Sequence, residues 1–273
     1  MRWMPSGRRG TDWRNELRKW KRKLQQRAVL GGVKSIGSYA FSGCTGMTSL
    51  SFINSETIIE DHAFDGCDKV ITLNLDKVKT IGVKSFKSLG IELLTIPSSV
   101  TAIGEKAFST CSKLESLNYP NHEIEFESNM FEGITTLKHI SITSTSSGPM
   151  QPYTTGNKPW QSVITTIETI TINTGVTSVS DYAFEGATNL ITIASWGSVT
   201  TIGQHAFDGC STLPSLTISD SVTSIGVGSF KDCIKISSVS FGKGESINVD
   251  KFIDDLSNPL SMLMCIFENF CVT

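Results

Sequence analysis

Long apolar runs are missing from this sequence, and nothing in it approaches the ~20 apolar residues that a membrane-spanning helix requires. The basic start is not followed by an apolar stretch, so no secretory signal is legible there. No Asn stands two residues before Ser or Thr, although both hydroxyl residues are abundant, so glycan acceptor sites of that type are excluded. Phosphate-cradling loops and a G-x-G-x-x-G after a strand are also absent. Only four histidines occur, and neither His122 nor His139 has Asp, Glu or Cys at ligand spacing repeated around it. Catalysis needs a nucleophile with its base, paired carboxylates or a metal in a concave site, and no such set is visible. The expectation is therefore a chain that is not an enzyme and carries no cofactor.

What the sequence does have is a period. Aromatic residues recur at Phe41, Phe64, Phe86, Phe108, Phe131, Phe184, Phe207, Phe230 and Phe252, spaced by 22 or 23 residues except across one longer gap. Trp160 fits the same slot inside that gap, because Ile167, Ile170 and Ile172 follow it as Leu114, Leu117 and Tyr119 follow Phe108, displaced by one residue. That makes ten anchors. Five residues before the anchors stand Ile36, Ile59, Ile81, Ile103, Phe126, Val179, Ile202, Ile225 and Ile247; eight before them, Val33, Val78, Val100, Val176, Val199 and Val222 recur. Six and nine residues after come Met47 with Leu50, Val70 with Leu73, Leu137 with Ile140, and Leu213 with Leu216. Apolar columns separated by Ser, Thr and Gly cannot be buried within a unit of this length. They are buried against the next unit, which is how a solenoid is built.

The alternation in Leu137-Lys-His-Ile-Ser-Ile142 has the period of a short strand with one face inward. Ten such strands stacked in parallel at ~4.8 Å give a rod or arc on the order of 50 Å long. The V-x-x-I-G-x-x-A-F segment reads as a second extended piece. Gly37, Gly82, Gly104, Gly203 and Gly226 are then expected to allow a sharp corner before a short helical turn carries Ala-Phe inward.

This unit resembles the leucine-rich repeat of the BspA-like subtype. The residues that carry the resemblance run from Ile96-Pro97 through Val100, Ile103-Gly104 and Ala107-Phe108 to Cys111 and Leu114, and they recur closely from Ile218 to Ile236. The resemblance covers roughly residues 33 to 252 and implies a leucine-rich-repeat solenoid, with parallel short strands and turns or short helical segments, used for adhesion and protein contact at cell surfaces. It offers no catalytic residues to transfer. The chain lacks the Asn ladder of the wider repeat class, so a tight horseshoe curvature is not carried over.

The ends are different in kind. Residues 1 to 30 hold ten Lys or Arg against Asp12 and Glu16, a net of +8, whereas the rest has 14 basic and 24 acidic residues, a net of −10. Thr11 or Asp12 caps an expected helix whose Trp13, Leu17, Trp20, Leu24 and Ala28 share one stripe, with Gly31-Gly32 at its end. That stripe suits a cap over the open apolar end of the first repeat. The opposite face, Arg14, Arg18, Lys21, Arg22 and Lys23, suits an anionic membrane, a calmodulin-like partner or nucleic acid, and so an intracellular adaptor as the alternative function. Residues 253 to 273 read as a C-terminal cap or tail.

Five cysteines, Cys44, Cys67, Cys111, Cys210 and Cys233, stand three residues after an anchor, where other repeats place Leu89, Ile134, Val163 or Ala187. That slot is a small apolar core position, so reduced, buried thiols are expected. His62 and His205 fall two before the anchor, in a column shared with Tyr39, Lys84, Lys106, Asn129 and Tyr182 whose mixed polarity reads as solvated.

The outward strand positions, eight and ten residues after the anchors, hold Ser49 and Ser51, Thr72 and Asn74, Ser116 and Asn118, His139 and Ser141, Thr192 and Ala194, and Ser215 and Thr217. Such a face lacks the aromatic and Arg anchors of tight interfaces and suits weak, multivalent contact with a protein or glycan. Residues 143 to 158, rich in Ser, Thr, Pro and Gly, read as a loop insertion. Tyr153 is the candidate contact residue within it.

Overall fold

The computed structural model describes residues 26–31, 33–53, 56–144 and 147–241. Phe252, the basic residues Arg14, Arg18, Lys21, Arg22 and Lys23, and the tail from 253 to 273 lie outside them. The chain winds into stacked coils, each named here by its anchor, from Phe41 to Phe230.

Every coil has three walls. The first is a parallel sheet made by the L-x-x-L-x-L segments: Leu93–Thr95, Ser116–Pro120, His139–Thr143, Thr169–Ile172 and Thr192–Trp196 pair in order, flanked by Met47–Ile53 with Thr72–Asn74 on one side and Ser215–Ile218 with Ser238–Phe241 on the other. The inward residues keep register from coil to coil, Leu117 opposite Ile140 and Ile140 opposite Ile170. The second wall is a narrower parallel sheet. Ser35–Ile36, Thr57–Ile59, Val78–Ile81, Ala102–Ile103 and Glu125–Phe126 form one part of it, and Gly148–Pro149, Val176–Val179, Thr201–Ile202 and Ser224–Ile225 form the other.

The third wall contains the expected Ala-Phe turn, and it is not helical. Ala63, Asp65 and Cys67 donate their N–H groups to the carbonyls of Glu60, His62 and Phe64, closing tight turns within the coil. The alternate donors point along the stack: His62 N to Val83 O at 2.8 Å, Phe64 N to Ser85 O at 2.8 Å, Gly66 N to Lys87 O at 2.9 Å. Left-handed backbone two residues before and two after the anchor makes this possible, as at His62 (φ 55°) and Gly66 (φ 75°). A helix would have sent those donors back along its own axis; here they form a third inter-coil ladder, so the backbone groups of the turn are satisfied without one. The one helical element among the described residues is the 3-10 segment Gln161–Thr166.

The column of glycines serves a different purpose from the corner expected of it. Gly82, Gly104, Gly203 and Gly226 do not have positive φ. They sit where consecutive coils touch: a Cβ on Gly82 would stand 2.7 Å from the Glu60 carbonyl carbon, and one on Gly203 would stand 2.5 Å from Asp181 N. In both places the preceding Asp leans over the next coil, Asp61 Oδ1 accepting from Val83 N at 2.8 Å and Asp181 Oδ1 from Gln204 N at 2.7 Å.

Between the walls runs one core. Phe64 stacks on Phe86, Phe86 on Phe108 and Phe108 on Phe131, with ring centroids 5.5, 5.6 and 5.9 Å apart. Trp160 begins a second run through Phe184, Phe207 and Phe230, each step 5.3 Å. The five anchor-linked cysteines are buried. They are more than apolar fillers, because Cys67, Cys111 and Cys233 each donate S–H to the carbonyl of the preceding anchor, Phe41, Phe86 and Phe207, at 3.1 to 3.4 Å.

The N-terminal boundary moves. Ala28, the last residue of the expected helical stripe, lies in the strand Gln26–Gly31, which pairs in parallel with Met47–Ile53. The solenoid therefore starts by Gln26 and not at 33: Ala28 and Leu30, two residues apart, take the register of Leu50 and Phe52 in the next coil. The helix positions from Trp13 to Leu24 lie outside the described residues.

Candidate binding face

The outward side of the first sheet brings most of the expected contact residues into two parallel rows. Ser116, His139, Thr169 and Thr192 are directly opposite one another across consecutive strands, and Asn118, Ser141 and Thr171 form the row beside them. Ser49 and Ser51 face Thr72 and Asn74 at one end. Ser215 and Thr217 face Ser238 and Ser240 at the other. Thr72, Asn74, His139, Thr192, Ser215 and Thr217 are exposed; Ser49, Ser51, Ser116, Asn118 and Ser141 are half-buried. Some hydroxyls are tied along the row: Asn118 Nδ2 donates to Thr95 Oγ1 at 3.1 Å and Ser240 Oγ to Thr217 Oγ1 at 3.1 Å.

The Phe86 coil breaks the chemistry of the row. Leu93 pairs with Ser116, one residue earlier than the anchor spacing gives, and is 52% exposed. Its coil is one residue short between anchor and strand, so the outward position falls seven residues after Phe86. Thr169 and Thr171, the outward neighbours of Ile170 and Ile172, join the rows from the Trp160 coil, which is one residue longer there. Exposed Ile71 and Ile191 border the rows, and beside the central strands Lys138 pairs with Glu168 at 2.9 Å. Hydrogen bonding to Glu168, reinforced by its charge, holds the Lys138 ammonium above the ordinary lysine range. The face itself offers hydroxyl, amide and one imidazole group, suited to hydrogen bonding over a broad area.

Tyr153 does not join it. The ring is 6% exposed and packs edge-on against Trp160 and Phe126, at 5.5 and 6.2 Å. The expected surface loop turns this one ring inward, where it fills the space between Trp160 and Phe126, while residues 154 to 157 stay exposed. Burial pushes the Tyr153 phenol well above its ordinary pKa.

The column of His62 and His205 is half-exposed to solvent, as its mixed polarity suggests, but both rings are fixed within it. Each Nδ1 bonds a carboxylate three residues on, Asp65 at 2.9 Å and Asp208 at 2.8 Å. Each ring lies flat against a tyrosine of the preceding coil, Tyr39 or Tyr182, with centroids 4.6 and 5.4 Å apart. The hexapeptide His-Ala-Phe-Asp-Gly-Cys occurs at both places, and that identity was the signal available in the sequence.

Lys158, in the same column, turns inward: its side chain is 1% exposed and its ammonium reaches Glu185 Oε2 at 3.4 Å. Desolvation lowers its pKa against the opposing pull of Glu185. Since the folded pKa lies below the unfolded one, the unfolded chain binds more protons between them, and stability gains as pH rises towards the ordinary lysine range. Lys158→Met is expected to be neutral or stabilising by about 1 kcal/mol at pH 7, because Glu185 keeps access to water. That gain should shrink in thermal melts at alkaline pH; a melting temperature several degrees below wild type at pH 7 would refute it.

A family model described as BspA type leucine rich repeat region matches residues 24–149 and 160–257, in six copies. No curated protein matches the chain. Among solved structures, a leucine-rich repeat protein from Bacteroides ovatus ATCC 8483 is similar with a TM-score of 0.53 at 22% identity, covering 85% of this chain and 64% of that one. One from Eubacterium ventriosum ATCC 27560 has a TM-score of 0.42 at 22% identity, covering 89% and 66%. A leucine rich cell surface protein from Faecalibacterium prausnitzii A2-165 has a TM-score of 0.34 at 18% identity, covering 86% and 82%. The chain thus spans less than two thirds of the length of the Bacteroides protein, and the likeness to it concerns the fold.

Proposed function

The chain belongs to the BspA-type leucine-rich repeat family, and on that premise we propose that it is a non-enzymatic interaction or adhesion module whose hydroxyl-rich strand face binds a protein or glycan partner. The observation that supports this reading most is the pair of in-register rows through Ser116, His139 and Thr192, and Asn118 and Ser141: small polar groups repeating at the strand spacing. A ligand with repeating hydroxyl or amide groups meets the same chemistry at each step, so weak contacts add through avidity. The face carries no fixed charge in those rows, so binding depends little on salt.

Protein and glycan arrays probed with the purified chain test the proposal, followed by titration of the strongest hits. Thr192→Arg and Ser215→Arg, both exposed on the face, are expected to weaken binding roughly tenfold each by disrupting several repeats of contact at once. Ser224→Arg, on the outside of the second sheet, should leave it within about twofold. Equal losses from all three, or binding that vanishes with modest salt, would defeat the assignment to this face.

A further inference from the structure

We propose that the solenoid is two cooperative blocks joined by a built-in hinge between the Phe131 and Trp160 coils. Only the first sheet crosses this boundary intact, with Ser116–Pro120, His139–Thr143 and Thr169–Ile172 paired in register. The second sheet stops at Glu125–Phe126 and restarts at Gly148–Pro149. In place of a backbone ladder, the Gln151 carboxamide spans the gap, accepting from Ile124 N at 3.0 Å and donating to Ile124 O at 3.5 Å.

The turn wall is cut at the same place. Phe108 N reaches Met130 O and Thr110 N reaches Glu132 O, but among the described residues Phe131 N and Gly133 N donate to no carbonyl of the Trp160 coil. On the far side Ala183 O, which would accept from the anchor's backbone N–H, accepts the Trp160 indole N–H at 2.7 Å. The aromatic stack is interrupted too: Phe131 ends one run, Trp160 starts the next, and Tyr119 and Tyr153 meet Trp160 edge-on. Side-chain polar atoms buried without a partner gather here, namely Tyr119 Oη, Asn121 Oδ1, His122 Nδ1, Asn129 Oδ1 and Gln161 Oε1.

Repeat arrays hold together through nearest-neighbour interfaces, so cooperativity fails first at the weakest one. With two of three walls cut, the blocks bend about the remaining sheet, opening the second sheet and the turn wall while each block keeps its own stack.

Hydrogen exchange on the full chain under increasing urea tests this. Amides of the coils from Phe64 to Phe108 are expected to share one opening free energy, and those from Phe184 to Phe207 another. Gln151→Ala should speed exchange across 121–126 about tenfold, the loss expected from one to two neutral hydrogen bonds, with Phe64–Val70 and Phe207–Leu213 unchanged. A single opening free energy from Phe64 to Leu213 would overturn the proposal. So would uniform acceleration of both blocks in the variant.

Discussion

Phe108→Ala should destabilise the protein by about 3 to 5 kcal/mol, the usual cost of truncating a buried aromatic in a core that cannot collapse around the loss. The residue has no exposed surface and is stacked on both sides, by Phe86 at 5.6 Å and Phe131 at 5.9 Å. Collapse is resisted because the surrounding walls are set by three ladders of backbone hydrogen bonds at fixed strand spacing, which cannot close over a missing ring without breaking register. Phe131→Ala makes the informative comparison: it is equally buried but its ring is stacked on one side only. It should cost less by about 1 kcal/mol, the worth of one aromatic pair. Urea melts followed by exchange at the flanking coils measure both. A loss below about 1 kcal/mol for Phe108→Ala, or the reverse order of the two, would mean the stack is not what holds the coils together.

The period of this protein was legible because solenoid burial is column-wise: the same slot must be apolar in every coil, so Phe, Ile and Val recur at fixed spacing and announce the stack. The Cys slot was read correctly as core for the same reason, although the S–H bond to the preceding anchor carbonyl could not be inferred from a position that elsewhere accepts Ala187 or Leu89. Substitution tolerance reports volume and polarity, and a weak donor leaves little trace in either.

What escaped the sequence was backbone direction. Tyr39, His62, Lys84, Lys106, Tyr182 and His205 all adopt positive φ, yet none is the Gly that would announce it. Their polarity suggested a solvated helical turn, whereas the ladder to the next coil imposes the left-handed conformation against local preference. The face was legible in composition, and in register except at the Phe86 coil, where Leu93 falls one residue early relative to its anchor. Tyr153 misled because Pro- and Gly-rich composition reports a departure from the repeat without saying whether the departure goes out or in.

Glycine supplies the second large effect, and it separates two reasons for having no side chain. Gly203→Ala is expected to cost about 1 to 3 kcal/mol through overpacking, since its Cβ would meet Asp181 N and Oδ1 at 2.5 Å and the Ser180 carbonyl carbon at 2.6 Å. Those atoms are not free to retreat, because Gln204 N holds Asp181 Oδ1 at 2.7 Å and Gly203 N holds Val179 O at 2.9 Å. Its φ is ordinary, so with space available alanine would have stabilised slightly by stiffening the unfolded chain. Gly186 presents the opposite case: φ is +77° and nothing lies within 4 Å of a built Cβ. Gly186→Ala should therefore cost only the left-handed penalty of about 1 kcal/mol, which Ser88, Thr110 and Asp232 already bear at the same slot in other coils. Thermal melts of the two variants decide the matter. If Gly203→Ala proves neutral while Gly186→Ala is the more damaging, coil-to-coil contact is looser than the backbone spacing requires, and the close approach at Gly82, Gly104 and Gly226 does not set the pitch of the stack either.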